Sequence, residues 1–247
     1  MRPVRIVLDG QPAVPDYPPI GFELSAAFDL ETMPGGELAA SIRAHRIWEG
    51  FETALFLDAL ARGDPDRQKV FDFGANVGWY TLIAANWDYD VEAFEAETDI
   101  AAVLRRNIAA HNDLDRFVTV HEMWVDETTG PVAADPVCVF KSDMEGNDAY
   151  AVAACRHLFE AGLIDHALIE ISPCFNDSYP ELVEAVCGYG YEPFCVPTKG
   201  FAHTTAFGEE PLATLHTHCR IPASARGEHV AGLWQENFWF TRRDLIR

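Results

Sequence analysis

The stretch VFDFGANVGWYTLIAA, residues 70–85, constrains this chain more than any other. KVFDF at 69–73 reads as a short apolar strand, and 78–86 reads as a helix. Gly74 and Gly78 bracket the turn between them. Gly74 lets the backbone bend or approach a ligand, and Gly78 lets the helix pack closely on a sheet. An open parallel sheet binds ligands beyond the carboxyl ends of its strands, where a helix N-terminus offers free N–H groups. Asp72 sits two residues before the first glycine. A buried carboxylate there needs a partner, which a ligand amine or hydroxyl would supply. Asn76 or Asp72 capping a purely structural turn is the plainer alternative.

The spacing excludes two nucleotide sites. A dinucleotide fingerprint requires G-x-G-x-x-G, whereas G-A-N-V-G places its glycines four apart. No G-K-[ST] follows, so the turn is not a phosphate-binding P-loop.

A βα series surrounds the turn. Strands are expected at 69–73, 91–95, 118–125, 137–143 and 166–172, with helices at 45–60, 78–86, 99–112, 149–162 and 179–190. In the first of these helices the apolar residues Trp48, Phe51, Leu55 and Ala59 define one face, with Glu49, Glu52 and Asp58 elsewhere on the wheel. Four strands are nearly continuously apolar, as buried parallel strands are, and the third alternates as an edge strand does. The expected class is a parallel α/β sheet with helices on both faces. Strand-like segments at 191–197 and 233–242 suggest a closing antiparallel hairpin, with no clear helix between them. Residues 1–44 read as an arm or lid, since QPAVPDYPPIGF holds four prolines. Residues 45–247 then form the main domain, with an insertion at 198–232.

Acids recur at the strand ends. Glu95 lies 23 residues beyond Asp72, where an acid meets the two hydroxyls of a ribose. Met123 and Trp124 lie near the end of the third strand, with Asp126 just beyond it, and suit an adenine slot, although core packing accounts for the first two almost as well. Asp143 and Glu145 end the fourth strand in KSDMEGND, with Asn147 or Asp148 as helix cap. Glu170 lies in the apolar run ALIEIS, where an unpaired acid is costly. In LHTHC, 215–219, His216 and His218 share one side of an extended strand, with Asp143 a conceivable third metal ligand. No further close ligand accompanies them, and no metal is assigned. Aromatic residues Trp79, Tyr80, Phe201, Phe207 and Trp234 offer an apolar pocket, or simply core.

Composition limits the partners. The formal net charge is −21, from 18 basic and 39 acidic side chains, which disfavours nucleic acid. No run approaches 18 apolar residues, so no membrane association is expected. Six cysteines without a C-x-x-C pair read as free thiols in a reducing, cytoplasmic setting. The oligomeric state is left open, a dimer included.

Taken in order, VFDFGANVGWYT, VEAFEAE, Asn107 in its helix, KSDMEGND and ALIEIS resemble the signature of FkbM-type methyltransferases, a branch of the class I S-adenosylmethionine-dependent enzymes. WEGFETALF is similar to that family's lead-in helix, and the resemblance spans about 45–195 with a closing strand near Asn237. It implies a Rossmann-like class I methyltransferase fold with a mostly parallel seven-stranded sheet whose last strand is antiparallel. It implies S-adenosyl-L-methionine as cofactor, with Asp72, Gly74, Asn76 and Gly78 at the methionine end. Glu95 would take the ribose, Trp124 and Asp126 the adenine, and Asp143 would border both halves of the site. The expected reaction is O-methylation of a small-molecule hydroxyl on a sugar or natural product. Asp143, Glu170, His216 and His218, with His203, are the candidate proton acceptors. N-methylation on the same fold, or cofactor binding without turnover, are the alternatives. Two departures stand out: EAE lacks the proline that usually follows the ribose acid, and EGND replaces an EGAE run.

Overall fold

The computed structural model describes residues 7–8, 11–12, 48–111, 113–132, 135–175, 177–196, 211–233 and 235–246. Seven strands form one sheet: β1 Lys69–Phe73, β2 Asp90–Glu95, β3 Val118–Glu122, β4 Val137–Ser142, β5 Ile164–Ile171, β6 Tyr191–Cys195 and β7 Glu236–Arg242. Their spatial order is β3-β2-β1-β4-β5-β7-β6. β7 runs antiparallel to both β5 and β6, and the pairs among β1 to β5 are parallel. The seven-stranded Rossmann-like sheet with an antiparallel last strand is therefore present, and so is the β6–β7 pairing. β3 is an edge strand and the least buried.

Helices cover both faces. α1 (Gly50–Arg62), α2 (Trp79–Asn86), α3 (Thr98–Ala109) and α7 (Pro211–His218) share one core with Val70, Val91, Val139, Leu168 and Trp239. α4 (Asp148–Ala154), α5 (Arg156–Glu160), α6 (Tyr179–Gly188) and α8 (Arg226–Ala231) share the other with Phe71, Phe140, Ile169 and Phe240. Successive strand residues point to opposite faces, so Val70 and Phe71 serve different cores. Among the described residues no helix is long and apolar enough to cross a membrane. All six cysteines are free, and three of them are buried.

Four expectations need correction. The helix expected over 149–162 breaks at Cys155, whose φ of −100° and ψ of 8° leave the helical region between α4 and α5. The segment between β6 and β7 contains α7 and α8, where no clear helix was read. His216 and His218 lie on α7, so they do not share a strand face; residues two apart on a helix point in nearly opposite directions. The third strand, expected over 118–125, ends at Glu122 and leaves Met123 and Trp124 outside it. Glu52 and Asp58 are buried, because α1 lies between the sheet and α7. A further detail concerns the N-terminal segment: Val7–Leu8 pairs with Gln11–Pro12 as a minimal antiparallel hairpin. The remainder of 1–44, with residues 197–210 and Trp234, lies outside the described residues, and so do His203, Phe201 and Phe207.

α7 forms where a proline and a distant acid cooperate. Pro211 opens the helix without needing an amide hydrogen. The next amide, Leu212 N, donates to Asp58 Oδ2 at 3.0 Å. Asp58 also accepts from Arg62 Nε at 2.8 Å on its own helix. Leu212 and Leu215 then enter the core. Asp58→Ala should lower unfolding free energy by about 1–2 kcal/mol, as removal of a helix cap does. Asp58→Asn should retain most of that stability, since its amide oxygen still accepts. Urea unfolding of the two variants checks this, and equal losses would refute the capping role.

Candidate active site

The carboxyl ends of β1, β2, β4 and β5 and the amino end of β7 converge on one mouth. Its floor is the turn after β1. Gly74, Asn76 and Gly78 all have positive φ, at 71°, 50° and 98°. A Cβ at Gly74 would lie 1.9 Å from the Asp143 carbonyl oxygen, so no side chain fits there. At Gly78 it would meet Leu104 Cδ1 at 2.6 Å, which explains the close seating of α2 against α3. Gly74 N and Ala75 N both donate to Phe94 O at 2.9 Å. The buried Asn107 donates from Nδ2 to Val77 O at 2.8 Å and holds the turn from α3.

Asp72 is buried, and its partners come from the chain itself. Oδ2 accepts from Thr81 Oγ1 at 2.6 Å. Oδ1 lies 3.4 Å from Lys141 Nζ but makes no hydrogen bond. Lys141 also donates to the carbonyl oxygens of Gly74 at 2.8 Å and Phe73 at 3.3 Å. Burial opposes its charge, but Asp72, Asp143 and Glu49 outweigh burial and hold its pKa above the ordinary lysine range.

Glu95 is also buried. Its Oε2 accepts from Asn76 N at 2.8 Å and its Oε1 from Glu97 N at 2.9 Å. Each carboxylate oxygen has two lone pairs, so both retain accepting capacity. Beside it, Met123 and Trp124 have left the strand and are exposed, Trp124 by 62%. Asp126 Oδ1 accepts from Thr128 N at 2.8 Å and Thr128 Oγ1 at 2.7 Å, which shapes the loop after β3.

The β4 turn is locked from below. Asp148, fully buried at the start of α4, accepts from Ser142 Oγ at 2.5 Å, Met144 N at 3.1 Å and Tyr179 Oη at 2.8 Å. This leaves Asp143 partly exposed, its Oδ2 3.9 Å from Lys141 Nζ. Glu170 at the β5 end accepts from Gln235 Nε2 on Oε1, while the buried Oε2 has no hydrogen-bond partner. Burial and then the Asp143 charge push its pKa up to about 8.

Tyr80, read from sequence as pocket lining or core, completes the mouth with residues not singled out as site members. Tyr80 Oη donates to Glu49 Oε2 at 2.6 Å. Asn237 Nδ2, across from Glu170 in the β5–β7 register, reaches Glu49 Oε1 at 3.4 Å and Glu52 Oε1 at 3.2 Å. Burial raises the pKa of both glutamates. The available signal was a pair of acids three apart on an otherwise apolar helix, together with a lone Asn entering a hydrophobic strand.

The histidines stand elsewhere. His216 Nε2 lies 3.0 Å from Thr241 Oγ1, and its ring packs 4.8 Å from that of Phe194. Thr241 is four residues along β7 from Asn237, roughly 13 Å at strand spacing. His218 is exposed on α7. The structure therefore does not bring His216 to the mouth as a proton acceptor. Among the described residues, no group of three His, Cys, Asp or Glu side chains converges to hold a metal ion.

Solved structures share this fold. Cofactor-bound Rv0187 from MTB matches with a TM-score of 0.51 and 16% identity, over 96% of this chain and 93% of that one. A putative O-methyltransferase from Klebsiella pneumoniae matches with a TM-score of 0.48 and 15% identity, over 86% and 92%. The O-methyltransferase from a trans-AT PKS multienzyme of Brevibacillus brevis, in complex with S-adenosyl-L-homocysteine, gives 0.44 and 13%, over 84% and 80%. No protein-family model matches the chain, and no curated protein does. The likeness to Rv0187 shows a shared Rossmann-like α/β fold.

The raised carboxyl pKa values fix the sign of a pH effect. A folded Glu170 holds its proton after an unfolded one has lost it, so stability is greatest at low pH and falls as pH rises from about 4.5 to about 8. Glu49 and Glu52 act in the same direction. Glu170→Gln should flatten the decline of unfolding free energy across that window. An unchanged slope would contradict the assignment.

Proposed function

We propose that this chain is an S-adenosyl-L-methionine-dependent methyltransferase of the FkbM type, transferring the methyl group to a hydroxyl of a small molecule such as a sugar or natural product. The observation that carries this reading is the pairing of two buried acids at one glycine turn. Asp72 ends β1 with a buried oxygen that no hydrogen bond satisfies, and Glu95 ends β2 with accepting capacity to spare. Acids suit a ligand with a sulfonium, an ammonium and a ribose diol. A phosphate-bearing nucleotide would meet repulsion there, because the nearby Lys141 is already engaged by Asp72 and two carbonyl groups.

The donor set fits the cofactor. Glu95 would hold the ribose hydroxyls, the turn from Asp72 through Gly74 and Asn76 to Gly78 the methionine end, and Trp124 the adenine, with Asp126 shaping the loop beside it. When bound, S-adenosyl-L-methionine supplies a methyl group already activated by its sulfonium, so the protein must position and deprotonate the acceptor. Glu170 and Asp143 face the mouth for that work. A carboxyl with a pKa near 8 is a strong enough base to receive a hydroxyl proton as the methyl transfers, and it is partly ionised at neutral pH. The surrounding apolar strands and Tyr80 exclude water. The acid-rich mouth also favours one second reading, N-methylation of an amine that docks as a cation beside Glu49, Glu52 and Glu170 and gives its proton to an ionised carboxylate there before the nitrogen takes the methyl group.

Calorimetry with S-adenosyl-L-methionine tests the donor half. Glu95→Ala should weaken binding about 10- to 100-fold, the worth of hydrogen bonds to a charged group. Asp72→Asn should weaken it with the fold retained, as judged by circular dichroism. No heat at millimolar cofactor would sink the proposal. Product mass analysis separates O- from N-methylation, and Glu170→Gln should lower kcat with cofactor affinity kept. Cofactor binding without turnover over a broad acceptor screen would leave only a binding protein.

A further inference from the structure

A second polar site lies away from the mouth, at the β6 edge of the sheet. Residues 219–221 run alongside β6, with Cys195 N donating to Cys219 O at 3.1 Å and Ile221 N to Pro193 O at 3.2 Å. This positions Arg220. Arg226 opens α8, and Arg243 follows β7, anchored by its backbone N–H to Gly190 O at 3.1 Å. All three guanidinium groups turn toward Glu192. Arg220 Nε and Arg226 Nη2 lie 3.0 and 3.1 Å from Oε1, and Arg243 Nε lies 3.5 Å from Oε2. With Pro222 and Ala223 they line an open groove of about 540 Å³.

The charges do not balance. Three guanidinium groups against one carboxylate leave two positive charges among the lining residues. They belong to a chain that carries −21 overall and only 18 basic side chains, so three in one groove is a concentration against the general trend. Arg226 is 93% buried by its 7% exposure, and its Nε has no hydrogen-bond partner. Burying a donor without an acceptor costs free energy, and Glu192 already serves three cations. Two of the arginines have half-exposed side chains, 59% for Arg220 and 54% for Arg243, and Arg243 Nη2 also donates to Cys187 O at 3.1 Å.

We propose that this groove binds a small molecule carrying a phosphate group. A tetrahedral oxyanion adds acceptor sites to those of the Glu192 carboxylate, which three guanidinium groups already share. The volume suits a small metabolite rather than a single ion. Thr241, paired with Glu192, is four residues from Asn237 along β7, so the groove is separate from the acid-lined mouth.

Isothermal titration of the full chain at low ionic strength with inorganic phosphate and with ribose 5-phosphate tests this. Ribose is the uncharged control. Saturable binding is expected for both anions and none for ribose, with S-adenosyl-L-methionine affinity unaffected. Arg220→Gln and Arg243→Gln, both at exposed side chains, should each weaken phosphate about tenfold or more. Arg156→Gln, at an exposed arginine paired with Glu160 on α5, should leave it unchanged. Glu192→Gln should tighten phosphate binding by removing the internal competitor, an effect a merely structural role does not produce. Absence of saturable binding, or equal weakening by Arg156→Gln, would overturn the site. So would tight binding to anionic lipid vesicles without binding of either soluble phosphate.

Discussion

The mouth depends on one buried ammonium. Lys141 rises from β4 beneath the glycine turn of β1, where it meets Asp72, two backbone carbonyl groups and, at 3.9 Å, Asp143. It also lies 5.8 Å from the centre of the Tyr80 ring. The ammonium joins the two central strands at the level where a ligand would enter, and it fixes the carbonyl groups of a turn whose φ values are left-handed. Such a pair adds little net stability over a well-packed apolar alternative, because both ions lose water. Its value is positional. Removing one partner would strand the other in a dry interior at a cost of about 3–5 kcal/mol.

One cation cannot neutralise the acids gathered above it. Glu49, Glu52, Asp143 and Glu170 all face the same space, and desolvation raises the pKa of Glu49, Glu52 and Glu170. Asn237 and Tyr80 supply neutral donors, which share the carboxylates without adding charge. The result is a mouth that holds protons near neutral pH. It attracts cations when those protons leave.

Much of this was legible in the sequence for local reasons. β1, β2, β4 and β5 are short, largely buried runs with a polar residue at or just before their carboxyl ends, and Gly74 and Gly78 mark a turn whose steric demands only glycine meets. Edge strand β3 announced itself by alternation. The failures share a cause: their determinants are distant in sequence. Glu52 and Asp58 had no role assigned on α1 because their partners, Asn237 and Leu212 N, lie 185 and 154 residues away. The alternation in LHTHC imitates a strand, but Pro211, Leu212 and Leu215 with the Asp58 cap make a helix. Asp72 was read with a ligand as partner, and the sequence did not show that Thr81 satisfies one of its oxygens while Lys141 lies 3.4 Å from the other.

The insertion of β7 between β5 and β6 has a consequence for how the site comes into being during synthesis. The glycine turn and Glu95 assemble from fewer than thirty consecutive residues, so the donor half can form early and locally. Asn237 reaches Glu49 only across 188 residues of intervening chain, and Glu170 pairs with it in the final strand. Contacts of such separation close late. Until β7 is added the sheet beside β5 is open, and the wall formed by Glu49, Glu170 and Asn237 is the last part of the mouth to be built. Chaperone protection would be needed most in that interval, while the hydrophobic flank of β5 still awaits its neighbour.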